Sequence, residues 1–203
     1  MTAIVRGASL ARVLGAFALA IGLTGCMSIY VDNRPAEVPS SQFAKPAEPK
    51  PVQLFFEFQT KGVQNQQATA LLKGRITDQV RTSGVFSTVS ETPVDGGASL
   101  SIVLDNVPTS DDAFSKGFVT GLTFGLVGSQ VGDGYLCTAT YRAPGAAEPV
   151  VKKARGILWA TVGAKSSPEG ATKADSIDAA MTRISRQVVS NVLNDVTLDP
   201  AFR

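Results

Sequence analysis

Few residues of this chain could carry out chemistry. Histidine is absent from all 203 residues, which excludes Ser-His-Asp and Cys-His catalysis and the commonest zinc sites, because each needs an imidazole. No serine stands three positions before a lysine, and the Gly-x-x-x-x-Gly-Lys-Ser/Thr phosphate loop is missing. Cys26, Cys137 and carboxylates such as Asp105, Asp111 and Asp112 remain. We therefore expect no cofactor and no metal. Carboxylate catalysis by the three aspartates stays open as an alternative to a non-catalytic protein.

Cys26 follows a stretch typical of an export signal. Arg6 and Arg12 supply the positive charge, and residues 1–25 contain no acidic residue. Residues 13–23 are almost wholly apolar, about 11 residues where a spanning helix needs about 20. The pattern predicts a signal peptide over residues 1–25 rather than a permanent membrane span.

Leu23-Thr24-Gly25-Cys26 resembles the lipobox of bacterial lipoproteins. The resemblance implies cleavage before Cys26, a diacylglycerol on its thiol, and acylation of the new amino terminus by a fatty acid such as palmitate. Two or three acyl chains anchor a protein firmly in one leaflet. Position 27 is Met, not the aspartate that retains enterobacterial lipoproteins in the inner membrane. The expectation is the inner leaflet of the outer membrane, facing the periplasm, with the inner membrane as the alternative. The other interpretation of Cys26 is a chance cysteine.

The charge balance excludes one class of partner. Loss of Arg6 and Arg12 lowers the basic count from 19 to 17, which equals the 17 acidic residues. A nucleic-acid binder would show a basic excess or a basic patch. Nucleic acid is therefore not an expected partner.

Residues 26–51 are rich in proline, and this composition favours an extended chain. Pro35, Pro39, Pro46, Pro49 and Pro51 are separated mainly by Ser, Ala, Glu and Lys. At about 3.1 Å per residue such a tether would reach as far as roughly 75 Å from the membrane. We expect a lipidated tether followed by a single domain over residues 52–203.

Hydrophobic periodicity predicts the elements of that domain. Alternation of apolar residues indicates strands at 52–59, 85–89, 99–107, 135–142 and 150–162, and spacing of three to four indicates helices at 65–83 and 175–194. Residues 85–89 and 99–107 are expected to form one hairpin, and 135–142 and 150–162 another. The order β-α-β-β-β-β-α predicts an α+β fold, a mainly antiparallel sheet with two helices packed on one face.

Two apolar patterns bear on the core. Cys137 alternates with Tyr135, Ala139 and Tyr141, which predicts a buried thiol, with intermolecular pairing or a reactive thiol as the alternative. The second helix carries an apolar stripe of Ile177, Met181, Ile184, Val188 and Val192, with Asp175 as expected N-cap. We expect the stripe to pack on the core, and a partner groove is the alternative.

The passage Arg81 to Val89, with Gly84 and Phe86, follows the first helix. It resembles a helix, small residue, Gly, apolar, Phe, apolar passage of small envelope proteins, such as the TolB amino-terminal domain and lipoprotein activators of penicillin-binding proteins. The resemblance covers roughly a third of the mature chain and transfers no active-site residue. It implies a non-catalytic role in partner binding or assembly, by analogy of fold.

A glycine-rich apolar insertion at 113–131 departs from the plain pattern. The candidate membrane or partner contacts in it are Gly117, Phe118, Gly121, Leu122, Phe124, Gly125 and Leu126. Thirteen residues between Lys116 and Gln130 make about 20 Å of helix, too short to span a core of about 30 Å. Three interpretations compete: a connection packed on the domain, an exposed patch that contacts the membrane interface or a partner, and a hairpin of an oligomeric pore. The expected partners are the bilayer, through Cys26, and an envelope protein, and oligomerisation is possible.

Overall fold

The computed structural model describes residues 27–108, 129–163 and 166–202. Within these ranges, eight strands and two α-helices make up an α+β fold, as the sequence predicts. The strands are β1 (Met27–Asp32), β2 (Val52–Thr60), β3 (Val63–Gln64), β4 (Val89–Ser90), β5 (Ala98–Pro108), β6 (Ser129–Arg142), β7 (Val150–Val162) and β8 (Ala171–Ala174). The helices are α1 (Gln66–Thr82) and α2 (Ile177–Thr197), with 3-10 turns at Ser40–Gln42 and Pro200–Phe202. Strands β1, β3 and β8 are additional to the predicted order.

The strands form one sheet in the order β3-β2-β5-β6-β7-β1-β8, with β4 also paired to β2. The predicted hairpin of β6 and β7 is confirmed, from Ser129↔Val162 to Tyr141↔Val150. Residues 129–131, assigned above to the insertion, belong to β6. Most neighbours are antiparallel, but β4 and β5 both pair with β2 in parallel.

The hairpin expected of residues 85–89 and 99–107 is wrong. Of residues 85–89 only Val89 lies in a strand, β4, whereas 99–107 lie within β5. Strands β4 and β5 each pair with β2 rather than with one another. Helix α1 returns the chain to the end of the sheet where β2 begins, so the strands that follow run parallel to β2. Such a crossover through a helix is the ordinary way to join parallel strands.

The extended tether predicted over residues 26–51 is also wrong for the part that the structure describes. Strand β1 lies inside the sheet, where Tyr30 pairs with Trp159 of β7 on one side and with Lys173 of β8 on the other. Val31 is completely buried. Residues 27–32 therefore belong to the folded domain.

The segment that follows β1 lies against α2. Gln187 Nε2 donates to the backbone oxygens of Asp32 at 3.1 Å and Pro35 at 3.0 Å. The Val38 N–H donates to Ser190 Oγ at 3.0 Å, and Phe43 is buried. Prolines keep a segment extended but do not prevent its carbonyls from accepting hydrogen bonds. Polar side chains of α2, about 150 residues away in sequence, supply those partners.

A single core lies between the sheet and the helices. Leu72, Ile76 and Val80 of α1 are buried, as are Ile184, Val188 and Val192 of α2. Gly156 of β7 allows close approach, because a Cβ there would lie 2.4 Å from Ile184 Cδ1. Cys137 is buried with Tyr135, Ala139 and Tyr141, which confirms the prediction from alternation.

Candidate functional site

One end of the sheet brings together the residue that follows Cys26 and the residues that flank the insertion. Met27 of β1 and Ser129 of β6 each lie opposite Val162, on the two sides of β7. Neighbouring strands are about 4.8 Å apart, so the Cα atoms of Met27 and Ser129 are separated by about 10 Å. Strands β2 and β5 end at this same side, at Thr60 and Pro108. We call it the anchor end.

The predicted site residues belong to the two segments of chain that are joined to this end of the sheet. Cys26 and the candidate contacts Gly117, Phe118, Gly121, Leu122, Phe124, Gly125 and Leu126 lie outside the described residues. Cys26 is bonded to Met27, and residues 109–128 join Pro108 to Ser129. The register therefore places Met27, which follows Cys26, and the two residues that flank the insertion at one end of the domain, which their separation in sequence does not indicate.

Large apolar side chains are exposed at the anchor end. Met27 is 61%, Val63 is 70% and Ile177 is 65% exposed. They come from β1, β3 and α2 respectively. Met27 and Ile177 line one cavity, whereas Val63 lies on the opposite edge strand of the sheet.

A cavity of about 240 Å³ opens between the sheet and the first turns of α2. We call it the α2 groove. Its apolar lining includes Met27, Ile29, Leu158, Trp159, Ile177 and Met181.

The groove exists because the apolar stripe of α2 extends beyond the part that the core covers. Ile184, Val188 and Val192 have no exposed surface, whereas Met181 is only partly buried and Ile177 is mostly exposed. The helix begins after Ser176, whose side chain accepts a hydrogen bond from the Ala179 N–H. Ser176, not the predicted Asp175, is therefore the N-cap.

The polar part of the groove comes from β6. Asp133, which is exposed, and the buried Tyr135 are the described residues of this strand that line it. Burial, and then the charge of the Asp133 carboxylate, raise the pKa of Tyr135 to about 12. The phenol is therefore neutral at physiological pH and leaves Asp133 as the charged group of the described lining.

Of the remaining reactive candidates, the structure describes Asp105 and Cys137, and neither lines this groove. Asp105 Oδ1 accepts a hydrogen bond from the Gly62 N–H at 3.0 Å and so holds the turn between β2 and β3. Asp111 and Asp112 lie outside the described residues. Burial raises the pKa of the Cys137 thiol, which disfavours the nucleophilic thiolate. Within the described ranges, no group of three or more Cys, Asp or Glu side chains could hold a metal ion.

A search of the helices that the structure describes finds none long and apolar enough to cross a bilayer.

Sequence reasoning identified one wall of the groove and missed the other. Ile177 and Met181 belong to the predicted stripe, but Met27 and Ile29 fall in the segment interpreted as tether. The overlooked signal is the alternation of Met27, Ile29 and Val31 with more polar neighbours, which is typical of a strand. The prolines that follow favoured an extended tether over this strand.

Comparison with protein-family models and with curated proteins finds no match for this chain.

Proposed function

We propose that this protein is a lipid-anchored envelope protein with a non-catalytic role in partner binding or assembly on the periplasmic face of the outer membrane. The lipobox-like Leu23-Thr24-Gly25-Cys26 supports the anchor. Lipid on Cys26 would hold the domain in one leaflet without a spanning helix.

The observation that carries the proposal is the pairing of Met27, the residue after Cys26, with Val162 of β7. Because the strand pairs with β7 from its first residue, a lipid on Cys26 would be attached directly to the sheet. The domain would sit at the membrane surface rather than at the end of a stalk. Exposed Met27 and Ile177 at the anchor end suit that position.

The partner surface we favour is the insertion with its seven candidate contacts, because it continues from the same end of the sheet at Pro108 and Ser129. A partner reached there would be a membrane-proximal envelope protein. The neutral mature chain argues against nucleic acid.

Labelling of growing cells with palmitate tests the anchor. Wild-type protein should incorporate label, fractionate with the outer membrane and lack residues 1–25 by mass. Cys26→Ser should lose the label, while Cys137→Ser keeps it. Label that persists in Cys26→Ser would contradict the assignment.

Crosslinking in cells tests the partner role. A photoreactive residue at Phe118 or Phe124 should give a discrete protein adduct, and the same residue at Lys153, exposed on β7, should not. Adducts of equal pattern from all three positions would contradict a specific contact in the insertion.

The alternative role is an oligomeric component of membrane remodelling or export that uses the insertion. The shared end of the sheet favours it, since Met27 of β1 and Ser129 of β6 both lie opposite Val162 there. Mass measurement of the lipidated protein in detergent distinguishes the two roles. A defined oligomer that dissociates on deletion of residues 113–128 supports the alternative, and a monomer excludes it.

A further inference from the structure

We propose that the α2 groove holds an acyl chain of the lipid on this protein's own Cys26. This inference rests on the proposed function, because it requires the lipid. It adds that one chain of the anchor is bound by the domain instead of entering the bilayer, so that the anchor also sets the orientation of the domain.

Position is the first argument. Met27 lines the mouth of the groove, and its Cα atom is about 3.8 Å from that of Cys26 across a single peptide bond. Strand pairing with Val162 fixes the backbone of Met27. Cys26 is therefore bonded to a residue that lines the groove.

Chemistry is the second argument. The described lining is apolar apart from Asp133, which is exposed, and the Tyr135 phenol. A peptide segment entering the groove would bring backbone N–H and C=O groups that need hydrogen-bond partners. An acyl chain has no such groups. Met27 and Met181 have flexible thioether side chains that adapt to an irregular ligand.

The size of the cavity and the incomplete burial of α2 both agree with an acyl chain as the occupant. A cavity of about 240 Å³ is smaller than the roughly 300–1,000 Å³ of typical small-molecule sites, so it suits part of one chain rather than a whole lipid. The chain would cover Ile177 and Met181, the two members of the helix stripe that the core leaves uncovered.

The methionines make a direct test possible. Of the three in the sequence, Met1 is removed with the signal, and the other two, Met27 and Met181, both line the groove. Methyl-labelled methionine therefore reports on the groove alone in the mature protein. The lipidated protein is placed in nanodiscs of fully deuterated lipid, so that the acyl protons present belong to its own anchor.

We expect magnetisation transfer between the Met181 methyl and acyl methylene protons. Ala160→Phe, which fills the groove from β7, should abolish it. Should that variant not fold, Ile177→Glu at the exposed mouth serves the same purpose. Val63→Glu is the matched control, because Val63 is equally exposed at the anchor end but does not line the groove, and transfer should persist in it.

The outcomes separate this inference from the proposed function. Intact mass is measured first, and a mass without lipid overturns the proposed function together with the inference. A lipidated protein without transfer overturns the inference alone. Transfer seen only when the nanodisc lipid carries protons would also overturn it, because the bilayer would then contact the groove.

Discussion

The two halves of α2 carry the same apolar stripe but have different surroundings. In the carboxyl-terminal half, Ile184, Val188 and Val192 are completely buried. In the amino-terminal half, Ile177 is 65% exposed and Met181 only partly buried. Periodicity therefore indicates which side of the helix is apolar, but not how much of that side the domain covers. The uncovered half lies at the end of the sheet where Cys26 joins β1.

The largest effect should come from truncation in the covered half. Ile184→Ala is expected to lower the free energy of unfolding by about 2–5 kcal/mol, because it removes a buried side chain and leaves a cavity. Ile177→Ala should change it by less than about 0.5 kcal/mol, as for other exposed positions. Urea denaturation of the mature chain carrying Cys26→Ser measures both. Equal losses would contradict the division of α2 into covered and open halves.

The next largest loss of unfolding free energy is expected where α2 and β7 are in close contact. In Gly156→Ala the new methyl group would lie 2.4 Å from Ile184 Cδ1, so we expect a loss of about 1–3 kcal/mol by overpacking. Gly74→Ala is the matched control, because nothing lies within 4 Å of its new methyl group in α1. That change should stabilise the protein by up to about 1 kcal/mol. Thermal unfolding measures both variants. A neutral Gly156→Ala would show that α2 and β7 are loosely packed at this position.

The segment held by α2 should show a smaller effect. Gln187→Ala removes two hydrogen bonds to backbone oxygens of residues 32 and 35, and a loss of about 1–2 kcal/mol is expected. Hydrogen exchange should rise at Val38, whose N–H is bonded to Ser190 of the same helix. Unchanged exchange across residues 33–44 would indicate that this segment is held by other contacts.

Alkaline pH tests the packing of the core beneath the helices. Burial raises the pKa of the Cys137 thiol in the folded protein, so the folded state keeps its proton where the unfolded state loses it. This stabilising contribution is complete below the unfolded pKa of about 8.5 and is lost as pH rises above it, by about 1.4 kcal/mol per pH unit. The slope of unfolding free energy between pH 8 and about 10 should be shallower in Cys137→Ala. An identical slope would argue that the thiol ionises freely in the folded protein.

Much of the secondary structure follows from local patterns. Strands β2, β5 and β7 and both helices lie within a few residues of the predicted ranges. The burial of Cys137 follows from alternation with its neighbours. Of the candidate site, Ile177 and Met181 were recognisable as members of an apolar stripe, whereas Met27 and Ile29 were not.

The sequence by itself determined the fold class and the apolar sides of its elements and predicted lipid attachment at Cys26, because these depend on motifs and spacings within short stretches. Only the tertiary structure decided that β1 lies between β7 and β8 and that β2 and β5 run parallel. It also decided that the core covers the carboxyl-terminal half of the α2 stripe and leaves Ile177 exposed. Strand pairing and burial depend on contacts between residues far apart in the chain. Gln187 and Asp32, 155 positions apart, are one such contact, and no local spacing encodes it.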